Sequence, residues 1–153
     1  GAPSIGIHGV SLGGYNAALL AGLDADLACV IAGIPPVDLA RLVWHHAAPP
    51  LVRLIERSGI VHDEVAELHR VVSPLAFTPR VSRRGLAVYA GIGDRLIPGD
   101  HPRDLWEHWG RPRIVWTQSG HDPRTREARR FVDETLRASL GARPEAGPPS
   151  RKW

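Results

Sequence analysis

Apolar positions run through this chain in two alternating patterns. Short, mainly apolar stretches sit at Ala2–Gly9, Leu27-Ala28-Cys29-Val30-Ile31-Ala32, Leu86-Ala87-Val88-Tyr89-Ala90 and Arg113-Ile114-Val115-Trp116-Thr117. All four read as strands, and the continuous run Leu27–Ala32 as one covered on both faces. Between and after them, apolar residues recur at helical spacing. Leu12 to Leu23 is an Ala- and Leu-rich helix that closes at the polar break Asp24-Ala25-Asp26. Asp100 to Trp109 places Leu105, Trp106 and Trp109 on one side and stops at Gly110. The last helix carries Ala128, Phe131, Val132, Leu136 and Leu140 on one face, with Asp122-Pro123 expected as its N-cap and first position. Strands alternating with helices predict an α/β fold, a three-layer α-β-α sandwich around a parallel sheet. Its site is then expected outside the carboxyl ends of the strands.

One stretch departs from that alternation. From about residue 35 to 72, Val37, Ala40 and Leu42-Val43-Trp44 suggest a short helix, and Leu51 with Leu54-Ile55 a second after Pro49-Pro50. Val65, Leu68 and Val71-Val72 suggest a third, capped by Asp63. This is longer than an ordinary strand-to-helix connection. It predicts a lid-like insertion over one end of the sheet, the alternative being extra packing. Residues 142–153 are rich in Pro, Gly, Ser and Arg without apolar periodicity and are expected to be a disordered tail.

Composition narrows the classes. With 43% hydrophobic and 23% charged residues, the chain of 153 residues matches an ordinary globular domain. The net charge of +3 comes almost wholly from arginine, Lys152 being the sole lysine. Arg83-Arg84 and Arg129-Arg130 are short pairs rather than a basic stripe interleaved with aromatics, so no nucleic-acid partner is expected. Asp24 and Asp26 interrupt the apolar Ala17–Ile34 segment, so no membrane span is expected. No leader is visible, and the expected location is the cytoplasm. The chain opens at Gly1 inside a strand and contains no Met, which predicts a piece of a longer protein. Cys29 is the sole cysteine, expected to be a buried inert thiol. His45-His46 lacks the spacing and acidic neighbours of a metal site, and with Trp44 is expected to pack within the insertion or to line a pocket there. No metal or organic cofactor is expected, and oligomeric state is left open.

Chemistry concentrates at Gly9-Val10-Ser11-Leu12-Gly13-Gly14, between the first strand and the first helix. Gly-x-Ser-x-Gly in that setting is a sharp strand-to-helix turn that lifts the serine hydroxyl from the sheet. Side chains at Gly9 or Gly13 are expected to clash there. The competing expectation is that Ser11 merely caps the helix. A serine nucleophile needs an adjacent base, and an imidazole base needs a carboxylate to hold its tautomer. Asp94, after the third strand, and His121, after the fourth, stand where the sheet would deliver them. Asp94 could equally serve its own turn, and His121 could be a surface loop residue. Asp38, after the second strand, is a rival acid with a capping explanation, and Asp100 also reads as a cap.

Gly9 to Gly14, Gly91-Ile92-Gly93-Asp94-Arg95-Leu96-Ile97-Pro98 and Ser119-Gly120-His121 resemble the nucleophile, acid and histidine segments of the α/β-hydrolase superfamily. The likeness runs along residues 1–141 and covers the C-terminal portion of that family's domain, beginning at the nucleophile strand. It implies a Ser11–His121–Asp94 triad, an acyl-enzyme, and cleavage of small-molecule carboxylic esters. It also implies an oxyanion donor at the Leu12 N–H, the second donor lying on a loop after an earlier strand outside this sequence. Gly9 to Tyr15 also resembles the prolyl-oligopeptidase type, so a serine peptidase is the alternative. A non-catalytic protein keeping the fold is a third reading, against which the three intact residues weigh.

Overall fold

The computed structural model describes residues 4–141. The expected tail and the first residues of the expected first strand lie outside them. Four parallel strands, β1 (Ile5–Val10), β2 (Leu27–Gly33), β3 (Leu86–Gly91) and β4 (Arg113–Thr117), pair in chain order as β1-β2-β3-β4. Helix α1 (Leu12–Leu23) links the first two strands and α5 (Asp100–His108) the last two, while α6 (Arg126–Leu140) follows β4. Alternate residues of the inner strands serve opposite faces. Val30, Ala32 and Val88 pack with Ala17 and Ala18 of α1 and with Leu105 of α5. Cys29, Ile31, Ala87 and Tyr89 pack with Ala128 and Phe131 of α6. The predicted α/β layering is thus the one observed. Cys29 is fully buried, and burial raises its thiol above the ordinary pKa.

Helix boundaries differ from the sequence reading at three acidic residues. The last helix begins at Arg126, not at Pro123. Asp122 instead folds back onto the Arg124 backbone N–H and guanidinium, both 2.9 Å, and Thr125 caps α6 through the Ala128 N–H at 3.1 Å. Asp100 opens α5 without a capping bond, and its carboxylate turns to Arg41 at 3.3 Å. Asp63 lies inside the first turn of α4 (His62–Arg70), where its charge still suits the helix dipole, and meets the His62 ring at 3.0 Å.

Between β2 and β3 run α2 (Leu39–His46), α3 (Pro49–Arg57) and α4, followed by two short 3₁₀ turns at Pro74–Ala76 and Arg83–Gly85. Asp38 caps α2, accepting the Arg41 N–H at 2.9 Å. Tyr15 of α1 ties the far end by donating to the Val72 carbonyl at 2.6 Å. The expected apolar faces of α3 and α4 are present but not covered. Leu54 is 62% and Leu68 75% exposed, and neither helix contains a buried residue.

Candidate active site

The turn after β1 is held by backbone contacts. Ser11 sits at φ 55° and ψ −119°, a conformation few side-chain-bearing residues adopt. Its N–H donates to the Gly33 carbonyl at the end of β2, at 2.8 Å. A Cβ at Gly9 would lie 2.0 Å from the Gly13 carbonyl oxygen, and one at Gly14 2.6 Å from the Gly33 oxygen. Gly13, expected to clash, faces open space. Its carbonyl makes the close approach to Gly9, and its own α-hydrogen points away. The glycine needed inside the helix is Gly14, whose neighbour is the next strand and is invisible to a local motif.

Ser11 makes no side-chain capping bond. Its Oγ lies 3.1 Å from His121 Nε2 instead, and His121 Nδ1 lies 2.8 Å from Asp94 Oδ2. The structure thus brings together three residues on loops after β1, β3 and β4. The Asp94 side chain is 1% exposed and that of His121 26%. Asp94 divides its two oxygens. Oδ1 accepts the N–H groups of Leu96 and Ile97 at 2.8 and 2.9 Å, closing its turn, and Oδ2 faces the imidazole. Asp94 thus closes its own turn with one oxygen and contacts His121 with the other. With Oδ2 accepting from Nδ1–H, Nε2 of a neutral imidazole is free to accept from the serine hydroxyl.

Asp94 and His121 keep their separation because their loops are joined. Ile92 N–H donates to the Thr117 carbonyl and Gly93 N–H to the Ser119 carbonyl, each at 2.9 Å. Thr117 Oγ1 reaches the Ala90 carbonyl at 3.2 Å and Ser119 Oγ at 2.8 Å. Gly91 permits this, since a Cβ there would lie 2.3 Å from the Gly120 oxygen. In the sequence Gly91 signals only a strand end, because the loop that approaches it comes from a distant part of the chain.

A second support lies beneath Ser11. The Tyr89 ring covers Gly33 and its hydroxyl meets His8 Nε2 on β1 at 3.0 Å. Burial pushes the phenol up to about 12 and lowers the imidazole's pKa, so both groups are favoured uncharged. Ile34, the next residue after Gly33, is itself at φ 47° and donates its N–H to the Tyr89 carbonyl at 2.7 Å. No periodicity or motif marks His8 or Tyr89 for this.

Leu12, 61% exposed, is the first residue of α1, where the N–H has no acceptor within the helix. Asp38 is engaged in capping α2, and it is Asp94, not Asp38, that hydrogen-bonds the His121 ring. His46 Nε2 donates to the Leu96 carbonyl at 2.7 Å, and the His45 ring stands edge-on to it. Trp44 packs edge-on against His62. A cavity of about 290 Å³ lies between Tyr15, Val37, Asp38 and α4.

No family model matches the chain. It is 45% identical over 143 residues to an uncharacterised protein of Mycobacterium tuberculosis, covering 88% of this chain and 33% of that protein. The chain therefore spans about a third of the length of that relative. An uncharacterised Bacillus subtilis protein, YdjC, is 22% identical over 99 residues, 64% of this chain and 85% of its own. Among solved structures, the Pyrococcus furiosus esterase Pf2001 superposes with a TM-score of 0.64 at 18% identity, over 92% of this chain and 55% of its own. An acylaminoacyl peptidase superposes with a TM-score of 0.66 at 19% identity, over 94% of this chain and 25% of its own. A puromycin hydrolase gives 0.64 at 18%, over 94% and 23%. These likenesses show the fold: the chain has the α/β-hydrolase architecture.

Proposed function

We propose that this chain carries the nucleophile, base and acid of a serine hydrolase that cleaves carboxylic esters. The observation that carries the reading is the continuous run of contacts from Ser11 Oγ through His121 to the buried Asp94 carboxylate. Ser11 Oγ attacks the ester carbonyl as its proton passes to His121 Nε2, giving a tetrahedral intermediate. Asp94 stabilises the imidazolium through Nδ1–H. The Leu12 N–H, at the positive end of α1, stabilises the developing oxyanion. A second donor is to come from elsewhere in the protein. Collapse returns the proton from Nε2 to the leaving alcohol and leaves the acyl group on Ser11. Water then attacks with His121 again as base, releasing the acid and restoring the serine.

The α2–α4 segment is, in this reading, a lid beside the site. The fold likeness to an acylaminoacyl peptidase and a puromycin hydrolase supports a second reading, cleavage of amide bonds by the same residues. Hydrolysis of a panel of p-nitrophenyl esters and peptidyl anilides by the full-length protein separates them. Faster turnover of esters, lost by about 10⁶-fold in Ser11→Ala, is the expected result. Preference for anilides would establish the peptidase reading, and equal rates in both proteins would remove Ser11 from the chemistry.

A further inference from the structure

Both ends of α2 are fastened to the segment that begins with Asp94. At its C-terminal end, His46 donates to the carbonyl of Leu96, whose N–H closes the Asp94 turn. At its N-terminal end the fastening is His101, in the first turn of α5. His101 is fully buried, and its Nδ1 stands 3.2 Å from the Val37 backbone nitrogen and 3.4 Å from that of Asp38. Both are N–H donors, so Nδ1 must be an acceptor and the ring proton must be on Nε2. Nε2 is buried without a partner among the described residues. Between the two fastenings, Arg41 of α2 bridges to Asp104 at 2.8 Å and Asp100 at 3.3 Å, and Leu42 packs with the cluster that holds Ile97. The contacts form a closed ring: Asp94, Leu96, His46, α2, Asp38 and Val37, His101, and back along residues 100 to 94.

We propose that His101 is a positioning residue for the Asp94–His121 pair, whose uncharged Nδ1 closes this ring and whose protonation opens it. A proton on Nδ1 would place an N–H against two other N–H groups, exchanging two attractions for two repulsions inside the protein. The groups that face the ring come from both packed elements. Arg41 on α2 opposes a charge on the imidazole, while Asp38 before α2 and Asp100 and Asp104 on α5 favour one. Burial outweighs them and holds the imidazole below its ordinary pKa. The sign follows: the unfolded or opened state binds the proton more readily, so the fastening is fully present above the ordinary histidine pKa and is lost as pH falls below it towards the depressed value. The role rests on the hydrolase reading only in what Asp94 does once positioned; the ring itself can be tested apart from activity.

His101→Asn separates the two contributions, because the Asn Oδ1 atom can accept at nearly the place of Nδ1 and does not titrate. In the full-length protein, amide hydrogen exchange is measured at about pH 7.5 and about pH 5, corrected for intrinsic exchange. The expected result is a loss of protection of about tenfold at Val37, Asp38, Leu96 and Ile97 on acidification, absent in His101→Asn. Equal behaviour of the two proteins overturns the proposal. So does loss confined to Val37 and Asp38, which would make His101 structural only. Should His101→Asn not fold, His46→Ala, which cuts the other fastening, decides: acid loss at Val37 and Asp38 that still occurs but no longer reaches Leu96 and Ile97 supports the ring, and loss at Leu96 and Ile97 equal to the wild type, or none at Val37 and Asp38, overturns the proposal. Hydrolysis of p-nitrophenyl butyrate over the same range is an independent readout. A steeper acid limb in the wild type than in His101→Asn supports positioning, and parallel limbs refute it. Absence of hydrolysis at every pH, with the exchange pattern intact, would refute the hydrolase reading and the positioning role while leaving the ring.

Discussion

The ends of the sheet and the α2–α4 segment are built on different physics. At the strand ends, backbone meets backbone or a fixed ring so closely that Gly9, Gly14, Gly33 and Gly91 have no room for a Cβ. In the segment between β2 and β3, Leu54, Leu68 and Val71 project 62, 75 and 73% exposed, and Gly59 has open space around it. The first region fixes where three side chains point, and the second leaves its apolar surface uncommitted. The contrast shows where substitutions in this protein will tell.

The largest expected difference is between two aspartates, one from each region. Asp94→Asn removes the carboxylate that orients His121, and ester turnover should fall by about 10⁴-fold. Asp38→Asn keeps a capping side chain and should change turnover no more than a few-fold. Steady-state kinetics of the two variants check this. The reverse order would make Asp38 the acid and break the comparison.

That pair also shows what can be read in advance. The strands, α1, and the places of Ser11, Asp94 and His121 are legible because each depends on a local run of apolar residues or a local turn. Asp94 has a turn explanation and a partner explanation, and only the fold reveals that different oxygens make the two sets of contacts. Gly14, Gly91, Tyr89 and His101 are not legible, since each owes its role to a partner far away in sequence. The start of α6 departs from expectation for a related reason. Asp122-Pro123 has the form of a helix opening, but Asp122 is taken by Arg124 and the next capable side chain, Thr125, takes the cap.

A next contrast concerns glycines. Gly9→Ala drives a methyl into the Gly13 carbonyl and should cost several kcal/mol, about 3 or more, or prevent folding. Gly59→Ala meets nothing, but sits at φ 81° and should cost about 1 to 2 kcal/mol. Urea unfolding of both variants distinguishes them, and equal losses would mean that the elbow relaxes as freely as the exposed turn.

The smallest expected effect, and the sharpest use of the comparison, is Leu54→Ala. Leu105, fully buried on α5, should cost about 2 to 5 kcal/mol when cut to Ala. Leu54 should cost less than about 0.5 kcal/mol, read from the same urea transitions. A large loss at Leu54 would show that the α3 face is covered in solution, and the region would no longer be uncommitted.

The central claim is that the turn after β1 presents an activated nucleophile. Fluorophosphonate labelling of the full-length protein, with the adduct located by peptide mass, tests it most directly. The expected result is a single phosphonylated residue, Ser11, with labelling abolished in Ser11→Ala. Equal labelling of the two proteins, or none in either, would contradict the claim.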